Sequence, residues 1–418
     1  MHGSAVDHLP VQRSGTTSGP GLNKTPAMRA KRILYVDSNV DGTVGGAYFS
    51  LLYLVSGLDR ARYEPLVVFS APTPLAPRFE AAGVRTLVRP LAPAVQFDGL
   101  PGRLTAKFAN LFLGFLLEPI RLARLLRQQQ VSLVHLNNSI IRNHPWMMAA
   151  VLARVPCITH ERGINEHVSR RVRVLARSLR AVICISAAVR DNLVSIGLGR
   201  LHLVTIHNGL DPASMCARRP AAQVRAELGL APGQRLIGVI GNVKPWKGQE
   251  VVVRAMGLLR DQYPDLACVF VGDTSRGEHD YLGRIETLVS ELGLTGRVKT
   301  TGYRDDVADF VAALDIQVHA SIAPEPFGRV LLEAMAFSKP LVASGGGAVP
   351  EIVVDGETGF IFERGAPQDL ASCLRKLLDN PELGATMGRA GHARLQDRFT
   401  IAANVRETED LYHGLLGG

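Results

Sequence analysis

The sequence is poor in cysteine, in aromatic residues and in long apolar runs, and each shortage removes a class of protein. Its five cysteines (Cys157, Cys184, Cys216, Cys268, Cys373) are odd in number, far apart and never spaced as CxxC. No disulfide framework and no zinc-binding spacing follow from them, and a reducing, cytoplasmic compartment fits best. Aromatic residues make up 6% of the chain, too few to interleave with basic residues as stacking platforms, which argues against nucleic acid as a partner. The most apolar stretch, Phe108–Leu117, stops at Glu118 and Pro119 after about ten residues, half of the roughly 20 that a bilayer-spanning helix needs. The glycines Gly42, Gly45 and Gly46 do not form G-x-G-x-x-G, and no strand-ending acid follows about 20 residues later. That argues against a nicotinamide cofactor. Residues 1–30 are rich in Gly, Ser, Thr and Pro and lack the apolar core of a signal peptide, so a disordered tail is expected there.

What is present is an ordinary globular composition, 46% hydrophobic and 20% charged, over 418 residues, enough for two or three domains. Charge is uneven. Residues 1–219 carry 27 Lys/Arg against 12 Asp/Glu, and residues 220–418 carry 20 against 26. The basic half, with 13 arginines and four acids over 118–200, should attract something anionic, such as phosphates or acidic lipid. After the apolar run, IRLARLLR alternates Leu and Arg at helical spacing. The segment 104–127 could therefore lie on an anionic membrane surface or pack into the core with its arginines solvated.

Short β-branched runs separated by helical stretches fill the first half: 32–38, 65–70, 84–88, 132–137, 157–161, 181–186 and 203–208. The pattern restarts at 236–242, 267–273, 297–303, 316–321, 340–345 and 359–363. Continuous apolar runs are parallel strands covered on both faces, and two successive βαβ arrays predict two doubly wound α/β domains. The expected division is an N-terminal domain over 31–212, a linker over 213–233 rich in Pro and Arg, and a C-terminal domain over 234–398. Ligands of such domains bind outside the carboxyl ends of the strands, in the cleft between them.

The most informative run is APEPFGRVLLEAMAFSKP, 323–340, with Glu325 and Glu333 eight apart. Within one helix they would diverge by about 80° and 12 Å. Pro326 pushes Glu325 out of the α region, so the helix begins near Phe327 or Gly328 and Glu333 rises from its second turn. A carboxylate among Val330, Leu331, Leu332 and Met335 calls for a ligand hydroxyl or a cation, or else it lies on an exposed polar stripe. The helix start offers unpaired N–H groups around Gly328, Arg329 and Val330, an anion site. Lys244 and Lys247 precede another helix start, where the dipole disfavours cations unless an anion is bound. Together they suggest a diphosphate held between two helix starts. Ser344–Glu351 is a glycine loop opening a helix at Pro350. His160 ends a strand and would face the cleft, whereas His135 would not; a structural role for His160 stays open.

On these residues the C-terminal half resembles the retaining glycosyltransferases of family 4, which have the two-Rossmann GT-B fold. The resemblance rests on Glu325 to Glu333 in PEPFGRVLLEAMAFSKPLVAS, on GNVKPWKGQEVVVRAM, and on GGGAVPEIVVDGETGFIF at 345–362, and extends weakly through CISAAVRDNL and IHNGLDP. It implies transfer of a sugar from a nucleoside-diphosphate-sugar donor to the hydroxyl of a carbohydrate or lipid-linked acceptor, with no resident cofactor. Glu325 would lie near the reacting carbon, His160 on the sugar, Lys247 on the diphosphate and Glu333 on the ribose. Gly46, Asn242, Lys244, Phe327, Gly328, Val330 and Leu331 would complete the donor site. Asn242 departs from the family's usual arginine; either Lys244 replaces it, or phosphate affinity and the leaving-group chemistry lack a second basic group. The final segment, 399–418, is expected as a helix crossing back to the first domain. With no acid cluster beside the phosphates, a metal is unnecessary. A sugar-nucleotide epimerase and a non-catalytic sugar-nucleotide-binding protein are the alternatives.

Overall fold

The computed structural model describes residues 29–38, 46–90, 117–274 and 279–417. The first sheet contains β1 (Lys31–Asp37), β2 (Tyr63–Phe69), β3 (Arg85–Val88), β4 (Leu133–Leu136), β5 (Cys157–Glu161), β6 (Ala181–Cys184) and β7 (Leu203–Thr205), in the order β3-β2-β1-β4-β5-β6-β7. The second contains β8 (Arg235–Ile240), β9 (Leu266–Val271), β10 (Val298–Thr300), β11 (Ile316–His319), β12 (Leu341–Ser344) and β13 (Phe360–Phe362), in the order β10-β9-β8-β11-β12-β13. All the pairings are parallel. Strand side chains alternate between faces, so Leu34 and Val36 of β1 enter one core layer while Ile33 and Tyr35 enter the other. Both layers exclude water, which is why the strands read as unbroken apolar runs. Strand order reverses between β1 and β4 and again between β8 and β11, so each domain opens its ligand crevice there.

Two expectations need adjustment. The segment 213–233 is not a bare linker: its helix Ala221–Glu227 buries Val224 against Phe310 and Leu314 of the second domain. In the helix Glu118–Gln128, Leu122 and Leu126 are inaccessible while Arg121, Arg124, Arg127 and Gln128 face water. Leu122 and Leu126 therefore serve the core, Leu125 is half-buried, and residues 104–116 lie outside the described residues. So does most of the 1–30 tail, along with Gly42 and Gly45. No helix among the described residues is long and apolar enough to cross a membrane.

The last helix, Ile401–Leu416, starts at Thr400, whose hydroxyl accepts the Ala403 N–H. It buries Val405 and Tyr412 in the first domain, against Tyr35, Leu51 and Tyr63. The domains also meet beside the cleft. Glu351, from the helix Val349–Ile352, accepts the N–H groups of Ala187 (2.8 Å) and Ala188 (2.9 Å) at a first-domain helix start and pairs with His207 at 2.9 Å. Ser186 Oγ donates to the Pro326 carbonyl at 2.7 Å. These contacts carry the loop bearing Glu325 against the carboxyl ends of the first sheet.

Candidate active site

Two cavities of about 540 and 460 Å³ occupy the cleft and share Phe49, Arg329 and Glu333 as walls. The smaller is bordered by Gly46 and Arg162 of the first domain and by Lys247, Glu325 and the Gly328–Val330 helix start of the second. The larger runs past Asn242 to Asp273 and Tyr303.

Pro326 does what its local chemistry dictates: Glu325 stays in the loop, and the helix is Arg329–Ala336, preceded by Gly328. The glycine loop then clamps Glu325 by its backbone. Gly347 pairs with it in a parallel bridge at φ +61°, and a Cβ there would lie 2.1 Å from the Glu325 carbonyl oxygen. This close approach, rather than contact with a ligand, accounts for the glycine at 347. So fixed, Glu325 Oε2 accepts from Lys247 Nζ at 2.9 Å, His319 Nε2 at 3.1 Å and Ser321 Oγ at 3.2 Å. Burial alone would raise its carboxyl, but the His319 hydrogen bond and the Lys247 charge outweigh it and bring it down to about 2. The group is ionised at neutral pH.

Glu333 borders both cavities, and its carboxylate receives no hydrogen bond from the described residues. Burial raises it above the ordinary carboxylate value, against the pull of the Arg329 charge. Arg162 is fastened by Asn137 and Asn208, both at 2.9 Å, and its burial lowers the guanidinium to about 10 against the charge of Asp37. It still carries a full positive charge at the cavity wall.

Gly46, Asn242, Lys247, Phe327, Gly328, Val330 and Glu333 all border the cleft, although the Phe327 ring packs on Phe399 and His207. Three residues do not. Leu331 is inaccessible in the core and its amide is spent on Gly328 O at 2.9 Å. Lys244 borders neither cavity. His160 is buried inside the sheet, its ring stacked on His135 and its Nδ1 2.7 Å from His135 Nε2. His135 Nδ1 in turn meets Tyr412 Oη at 2.5 Å, and Tyr412 meets Tyr35 at 2.8 Å. Burial pushes His135 down to about 3 and His160 well below the ordinary value, so both rings are neutral. The side chains of Arg162, His319 and Arg329 were not expected at the site; Arg329 was read there only through its backbone N–H. The place of His319 at the carboxyl end of β11, on the reversal of strand order, is the signal that could have found it.

Two family models match the chain: glycosyltransferase family 4 over residues 44–214 and glycosyl transferases group 1 over 221–394. D-inositol 3-phosphate glycosyltransferase of Streptomyces avermitilis is 34% identical over 205 residues, covering 46% of this chain and 43% of that protein. N-acetyl-alpha-D-glucosaminyl L-malate synthase of Bacillus anthracis is 29% identical over 212 residues, covering 51% and 54%. The chain thus spans about half the length of the curated relatives it matches. Anabaena HepE in complex with UDP superposes with a TM-score of 0.77 at 26% identity, over 92% of this chain and all of that one. HepE has also been crystallised with UDP-glucose.

Proposed function

Because the chain belongs to the family 4 glycosyltransferases and has their two-domain GT-B fold, we propose that it transfers a sugar from a nucleoside diphosphate to an acceptor hydroxyl. The anomeric configuration is retained and the product is a glycoconjugate. The observation that carries this reading is the buried, ionised Glu325 beside Lys247, at the mouth of a helix start and across the cavity from Gly46. As the bond from the sugar carbon to the diphosphate breaks, its electron pair goes to the phosphate oxygen. The acceptor oxygen bonds to that carbon and passes its proton to the departing diphosphate. Negative charge grows on the phosphates, where Lys247 and the helix N–H groups stabilise it, and positive charge grows on the sugar, where the Glu325 carboxylate does. Glu333, with acceptor capacity to spare, suits ribose hydroxyls. UDP bound to HepE supports a nucleoside diphosphate here. The row of Arg121, Arg124 and Arg127 supports weak attraction of the first domain to an anionic lipid surface.

Positive charge for the leaving group comes from the protein in this scheme, so transfer needs no divalent metal. Thermal shifts with UDP, GDP, ADP and their sugars test the donor class, and a radiolabelled sugar then follows transfer in excess EDTA. A nucleoside diphosphate at 100 times its Kd should add about 2.7 kcal/mol of stability. No shift with any of them would overturn the reading, and activity abolished by EDTA and restored by manganese would overturn its metal-free form.

A further inference from the structure

We propose that Arg329 is a diphosphate-binding residue of this chain, reaching across the cleft to provide the second cation that neither Asn242 nor Lys244 places there. The proposal rests on the nucleoside-diphosphate reading above. Arg329 borders both cavities, and among the described residues no carboxylate lies within ion-pair distance of it. Lys247, by contrast, already has Glu325 at 2.9 Å. Arg329 is also the first residue of its helix, the end at which the macrodipole disfavours a cation. Arg162 borders the same 460 Å³ cavity, likewise with no carboxylate in ion-pair range. The Arg329 charge opposes that of Arg162 while also acting on Glu333, a carboxylate on the same cavity, and an anion between the two guanidinium groups would relieve their repulsion.

The side chain is held for this task. Its Nη1 donates to the Gly46 carbonyl at 3.0 Å, and the guanidinium carbon lies 5.6 Å from the Phe49 ring centroid and 5.9 Å from that of Tyr53. A Cβ at residue 46 would come 3.1 Å from Arg329 Cδ. Glycine at 46 therefore makes room for this arginine, whose other N–H groups donate to no acceptor among the described residues and can meet phosphate oxygens. The competing role is a strut that joins the domains through Gly46 without touching a ligand.

Calorimetric titration of UDP, GDP, ADP and the corresponding nucleosides separates the two. Arg329→Met should weaken the tightest diphosphate roughly 10- to 100-fold and leave its nucleoside unchanged. Arg329→Lys should lose less, and Asn242→Arg placed on Arg329→Met should recover most of the loss by returning a cation to the cavity wall. Equal weakening of nucleoside and diphosphate, or none of either, would overturn the assignment, as would failure of Asn242→Arg to recover binding. If no diphosphate binds the wild-type protein, the parent reading itself fails and takes this assignment with it.

Discussion

Replacing Glu325 by Gln keeps the shape of the side chain and removes the charge on which three donors converge. In the folded protein that carboxyl sits at about 2, against 4.5 for an ordinary glutamate. The difference corresponds to roughly 3 kcal/mol, an order-of-magnitude figure. Its sign is that of a depressed carboxylate: the stabilisation is complete above pH 4.5 and is lost as pH falls toward 2. At pH 3 only about half of it, on the order of 1–2 kcal/mol, remains. Removing one partner of a buried ion pair costs about 3–5 kcal/mol by a separate route, because Lys247 is left uncompensated. Urea denaturation of wild type and Glu325→Gln at pH 7 and pH 3 should therefore show a difference of about 3 kcal/mol that roughly halves in acid. Other depressed carboxylates, such as Glu351 and Asp309, affect both proteins alike and cancel. Turnover should fall steeply in the variant, while affinity for the free nucleoside diphosphate holds or improves, since Lys247 is released from its partner. Equal stability of the two proteins at pH 7, or a difference independent of pH, would refute the buried pair as the source of the effect. Loss of nucleotide binding would refute the place of Glu325 beside the reacting carbon.

Glu333→Ala should weaken nucleoside-diphosphate affinity by about 1.5–3 kcal/mol, the usual worth of hydrogen bonds to a charged group, and unchanged calorimetric affinity would move the ribose elsewhere. Tyr412→Phe removes the hydroxyl between His135 and Tyr35 and leaves buried polar atoms unpaired. It should cost about 1–3 kcal/mol in chemical denaturation, and a neutral outcome would show that the chain of hydrogen bonds does not stabilise the docked final helix. Flotation should recover the protein with anionic vesicles at low salt, less at high salt and not with neutral ones. Reversal of charge at Arg121, Arg124 and Arg127 should abolish the recovery, and recovery that persists would place the contact on other residues.

The strands and their division into two domains were legible in the sequence because a parallel strand covered on both faces has to be a continuous apolar run, a property of a few adjacent residues. The loop of Glu325 was legible for a similar reason, since proline restricts the residue directly before it. The final helix was expected from the family resemblance rather than from any local pattern. Where local chemistry ended, the reading weakened. Glu325 and Lys247 are 78 residues apart, Tyr412 and His135 are 277, and Arg329 and Gly46 are 283. No local pattern pairs them. His160 looked like a cleft residue because it ends a strand, yet the neighbouring strand brings His135 alongside and the returning helix brings Tyr412, closing the chain of rings inside the core. Arg329 was read only through its backbone N–H, because at a helix start the amides are predictable whereas the direction of a long side chain depends on what faces it. The packing of one domain against the other decided that, by setting a glycine and two aromatic rings opposite the guanidinium.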